Sequence, residues 1–520
     1  MNNQNESPFS NPRFILSIIL VFVFLWAWQY YVNKKYPPQL AKPAVTAQAT
    51  APATGAVSTE AKTVEPSQLV VNENAPQEKS FQYEDENVKW EISSKGMGFS
   101  NYTLKKYLDN AKKTVVFADS DRTFVTSVNN KEVLFDLNKV SEVQYVGTAS
   151  VEGSNIKRTV TYNKETMSFD VETEFDTAPK SVSIAINDRK HHASGGNFLM
   201  PTFDRQNFLY RSEDKVKTEP ISDIKQGETH TATGNLISLA AIGSQYFAQA
   251  LVNKADILPS VTATVKDEGA KLDVNYDLKD TKITKLQTKL FIGPKSVDNL
   301  NKIDSLLPEV MDYGMFGFIS KLLLKLMKFL HGILGNWGLA IIALTIVMRV
   351  IMLPFNIMSF RSARAMQKIQ PQLAAVRERY KNDPMAVNRE TMALMKQHNA
   401  NPLSSCLPML LQIPVFFALW KTIGSSIEIY QQPFFGWITD LSAHDPLFII
   451  PVLMGITMYL QQKMTPTTMD PTQQKILNFM PILFSVFMLS LPSGLTLYNF
   501  VSSLFGVVQQ YFLLKDNSKA

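Results

Sequence analysis

The stretch WGLAIIALTIVMRVIMLPFNI, residues 337–357, decides how this chain is read. It is apolar and long enough to cross a hydrocarbon core about 30 Å thick, yet it carries Arg349. A cation in a spanning helix costs roughly 2.5 kcal/mol or more unless it faces protein or water, so its presence points to function. Thr345 lies four residues before Arg349 and Asn356 seven after it, which puts all three on one helical face. The competing account is that Arg349, close to Pro354, merely snorkels to the cytoplasmic headgroups.

Outward from this stretch the chain divides into two regimes. Only 19% of its 520 residues are charged, against roughly 25% in ordinary soluble proteins. The polar residues concentrate between 33 and 314, and the second half is apolar. The single cysteine, Cys406, excludes an intramolecular disulfide and reads as packing. Besides 337–357, apolar runs fall at Phe14–Val32, Leu403–Ile423, Leu447–Gln462, Ile476–Leu491 and Leu495–Leu514, making six expected spans. The first ends in Trp26, Trp28, Tyr30 and Tyr31 rather than in small residues, as an uncleaved anchor does. Two of the runs are short for a bilayer.

Loop charges set the orientation. Segment 358–401 carries Arg361, Arg364, Lys368, Arg377, Arg379, Lys381, Arg389 and Lys396, whereas 425–446 carries only Glu428, Asp440 and Asp445 as charged residues. The first is expected in the cytoplasm and the second outside. Both termini then lie in the cytoplasm and residues 33–336 lie mainly on the outer side.

The expected organisation is an anchor (1–33), a flexible Ala/Pro/Thr tether (34–80), an all-β outer domain (81–314), an interfacial amphipathic helix (315–334), a helical core (335–515) and a short tail (516–520). Alternating segments such as Arg158–Tyr162, Met167–Glu174 and Lys271–Tyr276 carry the β reading. His191 and His192 read as a solvated loop, because no carboxylate-histidine cluster accompanies them. No nucleophile motif or phosphate-binding loop is evident, so neither an enzyme nor a metal or cofactor is expected. In Met315–His331, Phe318, Leu322, Leu326 and Phe329 recur at helical spacing beside Lys321, Lys325 and Lys328, which predicts a helix in the outer headgroup plane. Within 358–401, Ala365, Ile369, Leu373, Val376 and Tyr380 form a seam for Met385, Met392 and Met395 across a break at Asn382-Asp383-Pro384. This predicts a cytoplasmic helical hairpin. Its basic faces, with Arg361, Arg364, Lys368, Arg377, Arg379 and Lys381, suit a ribosome or an incoming nascent chain, with no sequence-specific nucleic acid recognition, although a plain topogenic loop is the bland account.

Polar residues recur in the last span at Asn499, Ser502, Gly506 and Gln509, and Gln412 sits in the third. Ser502 and Gly506 read as interhelical glue. Asn499 and Gln412, with Arg349 and Thr345, read as the lining of a hydrated groove.

From about Asp312 to Tyr511 the chain resembles the YidC-type membrane protein insertases. The resemblance rests on Gly335-Asn336-Trp337-Gly338, Arg349 with Leu353-Pro354, Ile369-Gln370-Pro371, Asn401-Pro402-Leu403, Gln412-Ile413-Pro414, Lys463-Met464-Thr465-Pro466 and Pro492-Ser493-Gly494-Leu495. It implies a Gram-negative inner-membrane protein with a five-helix core and a periplasmic supersandwich. It also implies a groove in which Arg349, with Tyr498 nearby, receives the acidic flank of a nascent membrane protein. The implied function is membrane protein insertase and folding chaperone, alone or beside the Sec translocon, with nascent membrane proteins, the ribosome and the lipid bilayer as partners. Two departures are Asn499, where the family often has a second tyrosine, and the short tail. The alternatives are a secondary transporter using Arg349 as counter-ion for an anionic solute, and an anchored sugar-binding protein. The first lacks a repeated pair of interrupted helices, and the second leaves five spans unexplained.

Overall fold

The structure, a computed structural model, describes residues 78–516 apart from 110–111, 120, 190–205, 214, 222–228, 232–235, 266–268, 280, 312, 314–315, 399–401 and 466–470. At 229–231, 402–410, 471–473, 475–476 and 516 it describes the backbone alone. The expected anchor, nearly all of the tether, the His191-His192 loop, the Cys406 side chain and the tail beyond 516 lie outside these residues.

Alternation of apolar and polar residues builds the outer domain. In the strand Ser154–Asn163, Ile156, Arg158, Val160 and Tyr162 turn inward, while Asn155, Lys157, Thr159 and Thr161 turn outward. This strand pairs antiparallel with Ser168–Phe175, placing Val160 opposite Val171. Antiparallel pairing extends through sheets of four, nine and six strands. One continuous core joins all three sheets, centred on Trp90, which meets Phe99, Tyr145, Tyr162 and Phe169 edge-on. The strand Phe247–Asn253 is buried along its whole length. Its second face is covered by α1 (Val297–Ile303) and a 3-10 turn (Leu307–Val310), whose Leu300, Leu307 and Val310 belong to the same cluster as the helical core. The domain expected to be all-β thus carries helical turns at its C-terminal end.

The helices that follow are α2 (Gly317–Leu334), α3 (Trp337–Arg379), α4 (Pro384–Gln397), α5 (Pro402–Ser425), α6 (Ile449–Met464), α7 (Pro471–Met488) and α8 (Ser493–Asp516). The turn from α2 to α3 explains its own sequence. Gly335, at φ +66°, closes α2 in the left-handed conformation that glycine favours, and the Asn336 side chain accepts the Leu339 N–H at 3.1 Å to cap α3. Gly338 leaves room for the Phe434 ring, since a Cβ there would lie 2.0 Å from it.

Three sequence expectations are corrected. The span expected to end at Ile357 continues as one helix of 43 residues through Pro354 and Pro371. No glycine occurs between Gly338 and Gly424, and the residues after Phe355 are mostly good helix formers, so nothing stops the helix before Arg379. At 1.5 Å per residue α3 is about 64 Å long, twice a hydrocarbon core, so its C-terminal half stands clear of any bilayer.

In the hairpin, α4 packs back on α3 through Ala386, Val387 and Thr391, with Leu394 and Met395 against Ile369 and Leu373. Met385 and Met392, expected in this seam, point away from it. Asp383 accepts the Met385 and Ala386 N–H groups at 3.0 Å, and with Pro384 it starts the helix in the phase that turns 386, 387 and 391 inward.

Finally, α2 is bound on a face the sequence reading did not isolate. Ser320, Leu323, Leu324 and Met327 are buried, and the Ser320 hydroxyl donates to Ala418 O at 3.1 Å. Leu326 leans on the bundle rather than outward, whereas Phe318, Leu322 and Phe329 are 83%, 58% and 64% exposed.

Among the described residues α3 is the one helix long and apolar enough to cross a membrane by itself, and a shorter apolar helix, Leu477–Met488, lies within α7. Large apolar side chains are exposed along α3, α6, α7 and α8, including Val350, Ile456, Phe479, Ile482, Leu504 and Phe512. Exposed apolar surface of this extent marks a face that meets something other than water.

Candidate functional site

Arg349 sits on the face of α3 that meets α8. Its Nε and Nη2 both donate to the Ser502 hydroxyl, at 2.8 and 2.5 Å, and the side chain is half-buried. One turn earlier on α8, Tyr498 is buried and accepts a hydrogen bond from Gln412 Nε2 of α5 at 3.1 Å. A guanidinium on one helix and an amide on another therefore flank a two-hydroxyl step on a third. Among the described residues no carboxylate pairs with Arg349. An uncompensated cation in a weakly screened, apolar surround projects a strong positive potential, and a carboxylate brought near it gains far more than in water.

The other expected groove residues are placed differently. Thr345 is buried and its hydroxyl donates to Ile341 O of its own helix at 2.7 Å. Asn499 donates to Leu495 O at 2.9 Å within α8, and its amide nitrogen lies 3.9 Å from the Met488 sulfur, away from Arg349. Ser502, read from sequence as glue, is instead the partner of Arg349. The available signal was that an intramembrane guanidinium needs an acceptor, and Ser502 follows Tyr498 by one turn. Gly506 does serve close packing, since a Cβ there would meet Gln461 Nε2 of α6 at 2.5 Å. Thr457 and Ser503 join the same two helices through their hydroxyls at 2.6 Å.

The two ends of the bundle differ in chemistry. At one end the loop 426–445 closes over the helices: Ser493 N donates to Ala443 O at 2.6 Å and Gly494 N to Leu441 O at 2.9 Å. The same loop docks on the β domain, with the Tyr430 hydroxyl and Gln431 Nε2 donating to Leu108 O at 2.5 and 2.7 Å. At the other end stands the hairpin. Arg361, Lys368, Arg377, Arg379 and Lys381 are exposed there and Arg364 is half-buried, with the Arg379 guanidinium 5.7 Å from the Tyr380 ring centre.

Comparison with known proteins matches both halves. Residues 81–326 fit the model of the YidC periplasmic domain, and residues 329–520 fit that of the 60Kd inner membrane protein family. A curated relative from Geotalea daltonii, named membrane protein insertase YidC, is 40% identical over 307 residues, which are 58% of this chain and 58% of that protein. The protein of the same name from Vibrio atlanticus is 36% identical over 380 residues, 71% of this chain and 70% of its own length. The chain thus spans under two thirds of the Geotalea relative and over two thirds of the Vibrio one. A solved structure described as an active YidC insertase crystal structure with the first transmembrane domain resolved is 17% identical and covers 84% of this chain and 93% of its own, at a TM-score of 0.38. That overlay is too loose to carry an assignment of fold.

Proposed function

This chain belongs to the YidC family of membrane protein insertases, and on that premise we propose that it places nascent apolar segments in a bacterial inner membrane and assists their folding there, without covalent chemistry. The observation that carries the reading is Arg349, held by the Ser502 hydroxyl and unpaired with any carboxylate among the described residues.

A polar flank entering hydrocarbon loses its hydration at a cost of roughly 2–7 kcal/mol per unpaired group. Arg349, Ser502, Tyr498 and Gln412 line a hydrated groove that replaces part of that hydration. The guanidinium draws acidic residues of the client's flank, while the apolar outer faces of the helices let the client's hydrophobic stretch leave sideways into lipid. Six spans with both termini in the cytoplasm fit this arrangement. In it the loop 426–445 and the β domain close the periplasmic end, and the hairpin stands in the cytoplasm. Helix α6, with 16 residues, covers about 24 Å at 1.5 Å per residue, so the bilayer is thinned where a client crosses. The basic hairpin faces the ribosome, and the Sec translocon is the partner for clients that need both machines.

The test is the charge itself. Arg349→Ala is expected to impair insertion of clients with acidic flanks more than of matched neutral clients, with Arg349→Lys keeping most activity because positive potential rather than a bidentate fork is required. Insertion is measured per amount of variant in the membrane. Equal losses for both clients, or a loss that follows abundance alone, would sink the electrostatic groove and favour a snorkelling arginine.

A further inference from the structure

The loop 426–445 lifts an aromatic tip clear of the bundle it closes. Residues 433–437, Pro-Phe-Phe-Gly-Trp, turn back at Gly436, whose φ of +60° is one that glycine favours. Two backbone hydrogen bonds close the turn, Phe434 N to Ile438 O at 2.9 Å and Ile438 N to Phe435 O at 3.3 Å. Ile438 is buried, the Phe434 ring fills the space left by Gly338, and Asn336 Nδ2 donates to Pro433 O at 3.4 Å, so the tip is held beside the turn from α2 to α3. On the other side the Trp437 indole N–H donates to the buried carboxylate of Asp445 at 2.9 Å, and that carboxylate also accepts Ile450 N of α6 at 2.8 Å. Built this firmly, the tip still leaves Phe435 59% and Trp437 39% exposed, and Leu447 and Phe448 are exposed just past Asp445. Large apolar side chains presented rigidly and together mark a docking surface.

Charge and continuity name what covers it. Residues 429–439 carry no charge. The carboxylates of the loop are engaged from within the protein: Glu428 by Lys328 at 2.7 Å, Asp440 by Ser442 N at 2.7 Å, and Asp445 by Trp437 and α6. His444 lays its ring against that of Phe448, with 6.1 Å between centres. Beyond the tip, Phe448, Val452 and Ile456 are exposed at every fourth position and continue the apolar surface along α6. With 16 residues, α6 falls roughly 6 Å short of a hydrocarbon core at 1.5 Å per residue, and the aromatic tip stands at its N-terminal end. Amphipathic aromatic rings settle at the level where headgroups meet acyl chains. We infer that Phe435, Trp437, Leu447 and Phe448 seat in the headgroup–acyl boundary of the outer leaflet, so that lipid is the partner of this face. The inference rests on the insertion function above and adds to it: the loop that closes the groove is fastened to the bilayer, at the end of a helix too short to span it.

The experiment uses the full chain carrying Cys406→Ser, reconstituted in liposomes of phosphatidylethanolamine and phosphatidylglycerol with iodide on both sides, and an NBD fluorophore on Phe435→Cys. Val452→Cys on α6 and Val140→Cys, exposed in the β domain, serve as the lipid and water references. The probe at 435 is expected to be quenched most by lipids with a nitroxide high on the acyl chain, the probe at 452 by a deeper nitroxide, and the probe at 140 by iodide alone. With the probe moved to Leu447→Cys, Phe435→Ser should raise iodide quenching at least about threefold, and Phe435→Trp should leave it unchanged. Iodide quenching at 435 equal to that at 140 would overturn the seat. So would shielding of 435 from iodide and nitroxide together, as a protein neighbour or a second copy would give, or indifference of the probe at 447 to Phe435→Ser. A probe at 452 that lies in lipid alongside such a result overturns the seat alone, whereas one that lies in water overturns the membrane placement on which the insertion function stands as well.

Discussion

Arg158 shows how much a single side chain can cost a core. It lies fully buried in the β domain, donating from Nη1 to Thr173 Oγ1 at 3.2 Å, while Nε and Nη2 find no acceptor among the described residues. Burial pushes its pKa down to about 10. Because the folded state disfavours the charged form, the penalty is present in full at neutral pH and is relieved only as pH rises through that value. Arg158→Met is therefore expected to match or exceed the wild-type stability, by up to about 4 kcal/mol, whereas Thr173→Val, which removes the one acceptor, costs roughly 1–3 kcal/mol. Amide exchange in Ser154–Asn163 and Ser168–Phe175 reads both; faster exchange in Arg158→Met would assign the guanidinium a stabilising role. Strand alternation already places position 158 inward, but the partner of its side chain is set by the register of pairing with Ser168–Phe175, which puts Thr173 directly opposite.

At the scale of elements, α2 has two working faces, and they should fail differently. On the proposed placement of α2 in the outer headgroup plane, Ser in place of Phe318, Leu322 and Phe329 removes apolar area worth roughly 1.5–3 kcal/mol per side chain from its exposed face, so the helix should lift from the interface while the bundle stays folded. Leu323→Ala or Leu324→Ala instead opens a cavity against the bundle, at about 2–5 kcal/mol each. A water-soluble maleimide on Gly332→Cys separates the two effects. Increased labelling without loss of thermal stability is expected for the first set, and unchanged labelling would mean that protein contacts alone hold the helix. Periodicity made the exposed stripe of this helix legible. The buried stripe is built on Ser320 as well as on leucines, so hydropathy gave it less weight than it has.

At the scale of the whole molecule, the β domain and the helical core meet through Tyr430, Gln431 and Lys328. Lys328 reaches Asp298 at 2.8 Å and Glu428 at 2.7 Å, joining α1, α2 and the loop 426–445. Burial pulls the Lys328 pKa down, but the two carboxylates outweigh it and leave it raised. Its contribution to docking is thus complete below the ordinary lysine value and is lost as pH rises through the raised one. Hydrogen exchange in 426–445 should accelerate over that alkaline range in the wild type. Lys328→Met should abolish the alkaline step and accelerate exchange at neutral pH, because Glu428 then keeps its burial without its cation. Tyr430→Ala should accelerate exchange at every pH.

The sequence by itself determined the division into a β-rich outer part and a helical core, six of the strands, the helices 402–425, 449–464, 471–488 and 493–516 within about five residues at each end, and Arg349 as the residue to watch. Each of these follows from local periodicity, or from the cost of one charge in an apolar run, and neither needs a distant partner. Only the tertiary structure decided that Ser502 rather than Asn499 meets Arg349, that Gln412 reaches Tyr498, that Met385 and Met392 face outward, and that the loop 426–445 seals one end of the bundle against the β domain. Those outcomes depend on the rotation of one helix about its axis relative to another. That angle is fixed by caps such as Asp383, by close approaches such as Gly338 on Phe434 and Gly506 on Gln461, and by contacts between residues hundreds of positions apart, none of which leaves a trace in the spacing of a single segment.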